Sequence, residues 1–194
     1  MTAAPAISAG DTAWVFVASA LVLLMVPGLA LFYGGLVRSR AALNTLMMSF
    51  GALAVVTVQW TLMGYSLSFA PGTIVGDLRW FGLAGVGAAA GPYSSTIPHA
   101  AYAVFQAMFA GITVALISGA MVERIRFHVY LIFALLWTMF VYDPLAHWVW
   151  ATDGWLHNLG ALDFVGFSGV QISAGTDALV AATILGRRRA LGRT

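Results

Sequence analysis

Three polar side chains, two carboxylates and one amide, are spaced along the last apolar segment of the chain. Asp163, Gln171 and Asp177 fall within roughly 120° of one another if the segment is a helix turning about 100° per residue. Asp177 would then lie about 15 Å before the arginines that end this helix. An ionisable side chain at that depth is costly and marks a candidate functional position. The spacing predicts a polar stripe lining a water path or proton route, unless serine, threonine or backbone groups of a neighbouring helix satisfy Asp177.

Four histidines could bind a metal ion, but their spacing argues against a metal site. They lie at or near the ends of apolar segments, at His99, His128, His147 and His157. No two of them have the three- or four-residue separation that places two ligands on one helix face. No Ser-His-Asp order, glycine-rich phosphate loop or pair of catalytic carboxylates can be read at a common depth. We therefore expect no metal, no cofactor and no enzymatic activity.

Long apolar segments must position these side chains. A helix needs about 20 apolar residues to cross a hydrocarbon core about 30 Å thick. The predicted transmembrane helices span residues 13–33, 42–66, 98–122, 128–148 and 164–185. Hydrophobic residues make up 61% of the chain and charged residues 8%, with a mean hydropathy of +0.90. The sequence thus predicts an all-α fold, a polytopic membrane helical bundle with five transmembrane helices, and excludes a soluble protein.

The nine basic residues are all arginines, and their positions predict the direction of each helix. Eight lie in alternate connections and the tail, at Arg38, Arg40, Arg124, Arg126, Arg187, Arg188, Arg189 and Arg193. Only Arg79, beside Asp77, falls in a connection of the opposite side. Because arginines are enriched in cytoplasmic loops, the N-terminus is predicted outside and the C-terminus in the cytoplasm. Membrane topology accounts for the basic residues, and we expect no nucleic-acid partner.

Small residues recur every four positions along the third predicted helix, at Ala103, Ala107, Gly111, Ala115 and Gly119. Such a ridge allows a neighbouring backbone to approach closely, which predicts a central place in the bundle. Phe105 and Phe109 lie on roughly the opposite side of this helix. Contact with lipid is their simplest interpretation from the pattern alone.

Several sequence blocks resemble the ammonium transporter family, the Amt/Mep/Rh group, in the family's order and at close to its spacing. They are residues 11–14 (DTAW), 26–38 (VPGLALFYGGLVR), 105–109 (FQAMF), 122–127 (VERIRF), 144–150 (PLAHWVW) and 160–164 (GALDF). The resemblance implies a pore of eleven helices, in which two sets of five form inverted repeats, with three subunits in a trimer. The blocks cover the first repeat. The implied membrane is a bacterial-type plasma membrane.

The resemblance also implies roles for individual residues. Trp150 corresponds to a tryptophan of the outer vestibule, Phe109 to a gate phenylalanine and Phe105 to its neighbour on the pore side. Asp163 corresponds to a carboxylate at the head of the fifth helix, where a plain helix N-cap is the simpler interpretation and both roles can coexist. A small cation gains about 0.5 to 2 kcal/mol over an aromatic face, which suits recruitment of ammonium.

The sequence departs from the family at the first pore histidine, whose position is occupied by Gln171. Glutamine exchanges hydrogen bonds but cannot titrate, so this half of a proton relay is missing. Gln171 and Asp177 are kept as candidate pore-lining residues. The predicted function is transport of ammonium, conducted largely as ammonia. The alternative is a non-conducting half-length module that binds ammonium or assembles with a partner subunit supplying the second repeat.

Overall fold

The structure, a computed structural model, describes residues 6–188 as a bundle of long helices, which confirms the predicted all-α membrane fold. Arg189 and Arg193 lie outside the described residues. Within the described range, four helical segments are long and apolar enough to cross a membrane: Ala9–Leu36, Ser39–Phe69, His99–Met121 and Phe127–Asn158. We label the first three α1, α2 and α3. Helix α4 consists of the consecutive segments Phe127–Trp137, Thr138–Tyr142 and Asp143–Trp150, and a turn separates it from the short helix Trp155–Asn158.

The fifth predicted helix is shorter than its apolar segment. Helix α5 comprises Phe167–Ile172 followed by Ser173–Leu185, whereas the sequence predicted residues 164–185. The difference arises at Gly166, whose φ of 69° is left-handed and turns the chain immediately before the helix. At the other end, Gly186 with φ of 71° stops α5.

Helix α3 occupies the centre of the described bundle and packs against α1, α2, α4 and α5. The small residues Ala103, Ala107, Gly111 and Ala115 of its predicted ridge are buried. At Gly119 the ring of Tyr33 approaches so closely that an added Cβ would lie 2.7 Å from Tyr33 Cζ. The Tyr33 hydroxyl donates a 3.0 Å hydrogen bond to the Leu116 carbonyl, which holds α1 against α3. The ridge therefore permits the close helix contact that its spacing predicted.

Three turns of π-helix interrupt the long helices: Trp60–Gly64 in α2, Thr138–Tyr142 in α4 and Phe167–Ile172 in α5. A π-turn widens the helix locally and changes which side chains face a neighbour. The first two turns adjoin each other, with the rings of Trp60 and Tyr142 6.3 Å apart. Gln59 immediately precedes one turn and Asp143 immediately follows the other, so the two polar side chains meet between α2 and α4.

The connection between α2 and α3 folds over one end of the bundle. It contains a 3₁₀ turn, Phe81–Leu83, and a two-stranded antiparallel sheet of β1, Ala90–Gly91, and β2, Ser94–Pro98. Arg79, the exception among the arginines, hydrogen-bonds Asp77 at 2.8 Å. This hydrogen bond lowers the pKa of the Asp77 carboxyl and raises that of Arg79. The pairing with Asp77 gives Arg79 a local partner, which accounts for a single arginine in this connection.

Candidate functional site

A pocket of about 370 Å³ brings together four side chains that are distant in sequence: Phe105 and Phe109 of α3, Trp150 at the end of α4, and Asp163 before α5. Its wall is mainly aromatic, and the carboxylate is its one acidic side chain. These are the four residues predicted to bind substrate. The structure shows that they share a cavity, while their contact with a substrate stays a prediction.

The two phenylalanines form one wall of the pocket. Their rings lie 5.0 Å apart between centroids and cross at 74°, the edge-to-face arrangement that aromatic pairs favour. Both side chains are half-buried. Their place in the pocket wall differs from the lipid-facing position suggested by the helical pattern alone, because α5 and the loop before it cover this side of α3.

Trp150 forms the opposite wall and rests directly on α5. An added Cβ at Gly169 would lie 2.4 Å from Trp150 Cη2, so only glycine leaves room for the indole at this point. The Tyr142 ring lies 6.5 Å away in an edge-on orientation. The indole is thus held between α4 and the first turn of α5.

A network of polar groups ties the end of α4, which carries Trp150, to α2 and to the α2–α3 connection. His147, one turn earlier, is fully buried, with Nδ1 3.2 Å from the Ser68 carbonyl and Nε2 3.0 Å from the Gly72 carbonyl. The indole N–H of Trp148 donates to the Ile74 carbonyl at 2.7 Å. The sequence placed His147 at the membrane interface; its burial comes from the connection folding back over the helix end.

Asp143, at the start of the last segment of α4, is also buried. Its carboxylate accepts hydrogen bonds from Gln59 Nε2 at 2.6 Å and from the Ser68 hydroxyl at 3.3 Å. Gln59 Oε1 is buried without a hydrogen-bond partner among the described residues. This link joins α2 to α4 beneath the pocket-forming end of α4.

Asp163 accepts three backbone hydrogen bonds at the start of α5. The N–H groups of Phe167, Ser168 and Gly169 donate to its carboxylate oxygens at 2.6, 2.9 and 3.0 Å. These bonds satisfy N–H groups that have no acceptor within the helix. Asp163 thus caps the start of α5 from three residues before the N-cap residue itself, Gly166, and its carboxylate also lines the pocket.

The two candidate pore-lining residues lie apart from the pocket. Gln171 is exposed on α5, and Asp177 lines a separate apolar cavity of about 270 Å³ with residues of α3 and α4. Because Asp163 precedes the helix, the three residues do not form the predicted continuous stripe. Among residues 6–188, no serine, threonine or backbone donor hydrogen-bonds the Asp177 carboxylate. That Gln171 and Asp177 line a pore stays a prediction.

Sequence reasoning missed three polar residues of the pocket, Tyr102, Gln106 and His157. Gln106 Nε2 donates to the Tyr102 hydroxyl at 3.2 Å. A signal was present, because residues 102, 105, 106 and 109 have the i, i+3, i+4, i+7 spacing of a single helix face. His157 reaches the pocket from the short helix after α4, which no periodic pattern indicates.

The sequence profile of the Ammonium Transporter Family matches residues 13–193. The chain is 53% identical over 181 residues to an ammonium transporter of Bacillus subtilis, covering 93% of the chain and 45% of that protein. An ammonium transporter of Aquifex aeolicus is 49% identical, with 93% of the chain and 43% of that protein covered. The crystal structure of Saccharomyces cerevisiae Mep2 superposes with a TM-score of 0.85 at 42% identity, covering 93% of the chain and 42% of Mep2. The chain thus spans less than half the length of these relatives.

Proposed function

Because the chain belongs to the ammonium transporter family, we propose that it supplies one wall of a pore that recruits ammonium at the aromatic pocket and passes it across the membrane largely as ammonia. The chain is an integral membrane protein and not an enzyme. The observation that carries the proposal is the meeting of Phe105, Phe109, Trp150 and Asp163 in one cavity.

The chemistry of the pocket suits a small monovalent cation. Aromatic faces attract a cation by about 0.5 to 2 kcal/mol, and more where water is scarce. The Asp163 carboxylate adds negative charge, although its three backbone hydrogen bonds already compensate part of it. The Tyr102 hydroxyl and the Gln106 amide provide oxygen acceptors for N–H groups. The pocket can therefore strip water from ammonium in exchange for ring faces and a few oxygens.

Passage beyond the pocket is proposed to occur as the neutral molecule. An unpaired charge is costly in an apolar environment, so an apolar pore favours ammonia over ammonium. Sodium and potassium cannot release a proton to become neutral, and the same cost excludes them. Gln171 cannot accept the proton, so the proposed path needs another acceptor, and Asp177 is the candidate within this chain.

The described residues leave one side of the pocket uncovered. Leu162 is 95% exposed and Phe164 is 98% exposed beside it. Two such exposed apolar side chains beside a pocket are expected to pack against another polypeptide segment. We propose a homo-oligomer, a trimer by family resemblance, or a subunit that supplies the second repeat. The bacterial-type plasma membrane, the outer N-terminus and the cytoplasmic C-terminus complete the proposal.

The same uncovered side favours a second candidate function, a non-conducting module. A chain that presents one wall of a pore can bind ammonium at Trp150 and Asp163 without enclosing a path. Binding without flux is the behaviour that distinguishes this candidate from transport.

Flux and binding of radiolabelled methylammonium can be measured on the same preparation. We expect uptake into proteoliposomes above that of empty liposomes, and equilibrium dialysis to show binding weakened about 2- to 30-fold by Trp150→Ala. Trp155→Ala is the matched control, because this tryptophan lies outside the pocket. Binding without uptake would favour the non-conducting module. Absence of both would reject both candidates.

A further inference from the structure

Three arginines surround a second cavity at the opposite end of the bundle from the aromatic pocket. Arg124, in the turn between α3 and α4, and Arg187 and Arg188, after α5, line a cavity of about 410 Å³. The remaining lining residues, Ala182 and Gly186, carry no charge. Topology accounts for the side of the membrane on which arginines lie, but not for their convergence on one cavity.

Two of these arginines are oriented by the end of α3. Arg124 Nη1 donates to the Ala120 carbonyl at 2.8 Å, and Arg188 Nη2 donates to the Gly119 carbonyl at 3.3 Å. These bonds satisfy carbonyl groups of the last helical turn. They also fix two guanidinium groups beside the cavity while leaving most of their N–H donors available.

One donor in the cluster lacks an acceptor. Arg124 Nε is buried and has no hydrogen-bond partner among the described residues. A buried charged donor without an acceptor is costly, which indicates an anion or a water at this place. The neighbouring acid does not supply it, because Glu123 pairs with Arg38 at 3.4 Å.

We propose that this arginine cavity binds the phosphate group of an anionic phospholipid such as phosphatidylglycerol. Guanidinium groups match phosphate oxygens in geometry and charge, and three of them around one cavity exceed what a carboxylate needs. A lipid is favoured over free phosphate because the last turn of α5 also exposes apolar surface, with Ile184 78% exposed and Leu185 37% exposed. The headgroup would lie at the arginines and the acyl chains along α5. This site is independent of the proposed transport.

Lipid titration of the full chain in detergent tests the site. Apparent affinity is read from the rise in melting temperature, followed by helical circular dichroism, with phosphatidylglycerol, phosphatidylcholine of the same acyl chains, and inorganic phosphate. We expect phosphatidylglycerol to stabilise the protein and the other two to have little effect. Arg187→Gln should weaken the phosphatidylglycerol effect about fivefold. Arg187 makes no hydrogen bond within the described residues, so its replacement should not perturb the fold.

Arg40→Gln is the matched control, since it removes the same charge from the first turn of α2, on the same predicted side of the membrane. It should leave the phosphatidylglycerol response unchanged. Equal weakening by both variants would mean a diffuse charge effect and would overturn the site. A response to inorganic phosphate equal to that to phosphatidylglycerol would overturn the lipid assignment. An equal response to phosphatidylcholine would show that the net charge of the headgroup plays no part, which would overturn the choice of an anionic phospholipid.

Discussion

Asp163 combines two roles that a substitution can separate. Its carboxylate caps the first turn of α5 through three backbone hydrogen bonds and also gives the aromatic pocket its negative charge. The cap uses both carboxylate oxygens as acceptors, whereas attraction of a cation depends on the negative charge. The two roles therefore respond differently to the removal of charge and to the removal of the side chain.

Asp163→Asn should weaken methylammonium binding and keep the hydrogen bonds of one oxygen, because an amide has a single oxygen acceptor, so its loss of stability should be smaller than that of Asp163→Ala. Asp163→Ala should weaken binding and also lower the free energy of unfolding by about 0.5 to 2 kcal/mol. Chemical unfolding in detergent and equilibrium dialysis measure the two effects. Binding by Asp163→Asn equal to that of the unsubstituted chain would show that the charge plays no part.

Sequence reasoning at the scale of residues succeeded where a motif marked the position. Trp150 and Asp163 belong to blocks whose order and spacing resemble a known family, and the structure brings them to one cavity. Sequence reasoning did not indicate that Asp143 and His147 are buried. Hydropathy indicates how far along a helix a side chain lies, but not whether a connecting loop folds back to cover it.

At the scale of elements, π-turns decide which side chains meet. Those in α2 and α4 bring Gln59 to Asp143, and the one in α5 presents Gly169 to the indole of Trp150. The sequence could not predict these turns, because one extra residue per turn leaves no distinct composition. It could predict the close packing of α3, because small residues at four-residue spacing leave a physical groove.

The contact between α4 and α5 can be tested with one added methyl group. Gly169→Ala should displace the Trp150 indole, lower the free energy of unfolding by about 1 to 3 kcal/mol and weaken methylammonium binding. The measurements are chemical unfolding and equilibrium dialysis.

Gly175→Ala is the control on the same helix, since an added Cβ there meets nothing within 4 Å. It should be neutral or stabilise the helix by up to about 1 kcal/mol. If Gly169→Ala behaved in the same way, Trp150 would not depend on the first turn of α5.

At the scale of the whole molecule, the apolar segments predicted the architecture better than any local pattern. The apolar segments and alternate arginines predict five membrane-spanning helices. Residues 6–188 form five long helices, of which α1 to α4 are long and apolar enough to cross a membrane, and α5 begins three residues later than expected. The sequence could not reveal the folded α2–α3 connection, because its glycine-rich composition specifies no periodic structure. The direction in which the bundle crosses the membrane stays a prediction.

Labelling of single cysteines measures that direction without background, because the chain has no cysteine. Ser39→Cys and Asn158→Cys introduce exposed thiols at the first residue of α2 and in the short helix after α4. In intact bacterial cells, an impermeant maleimide should label Asn158→Cys and reach Ser39→Cys only after lysis. The reverse pattern would invert the bundle and place the aromatic pocket on the cytoplasmic side.

The Gln59–Asp143 hydrogen bond has a mechanical consequence. It couples two long helices at their widened turns, while His147 clamps the overlying loop to the same place. Separating the two helices at this point would leave a buried carboxyl group without its amide partner, which makes independent motion costly. This end of α2 and α4 should therefore behave as a stiff frame, against which the Trp150 indole holds the first turn of α5.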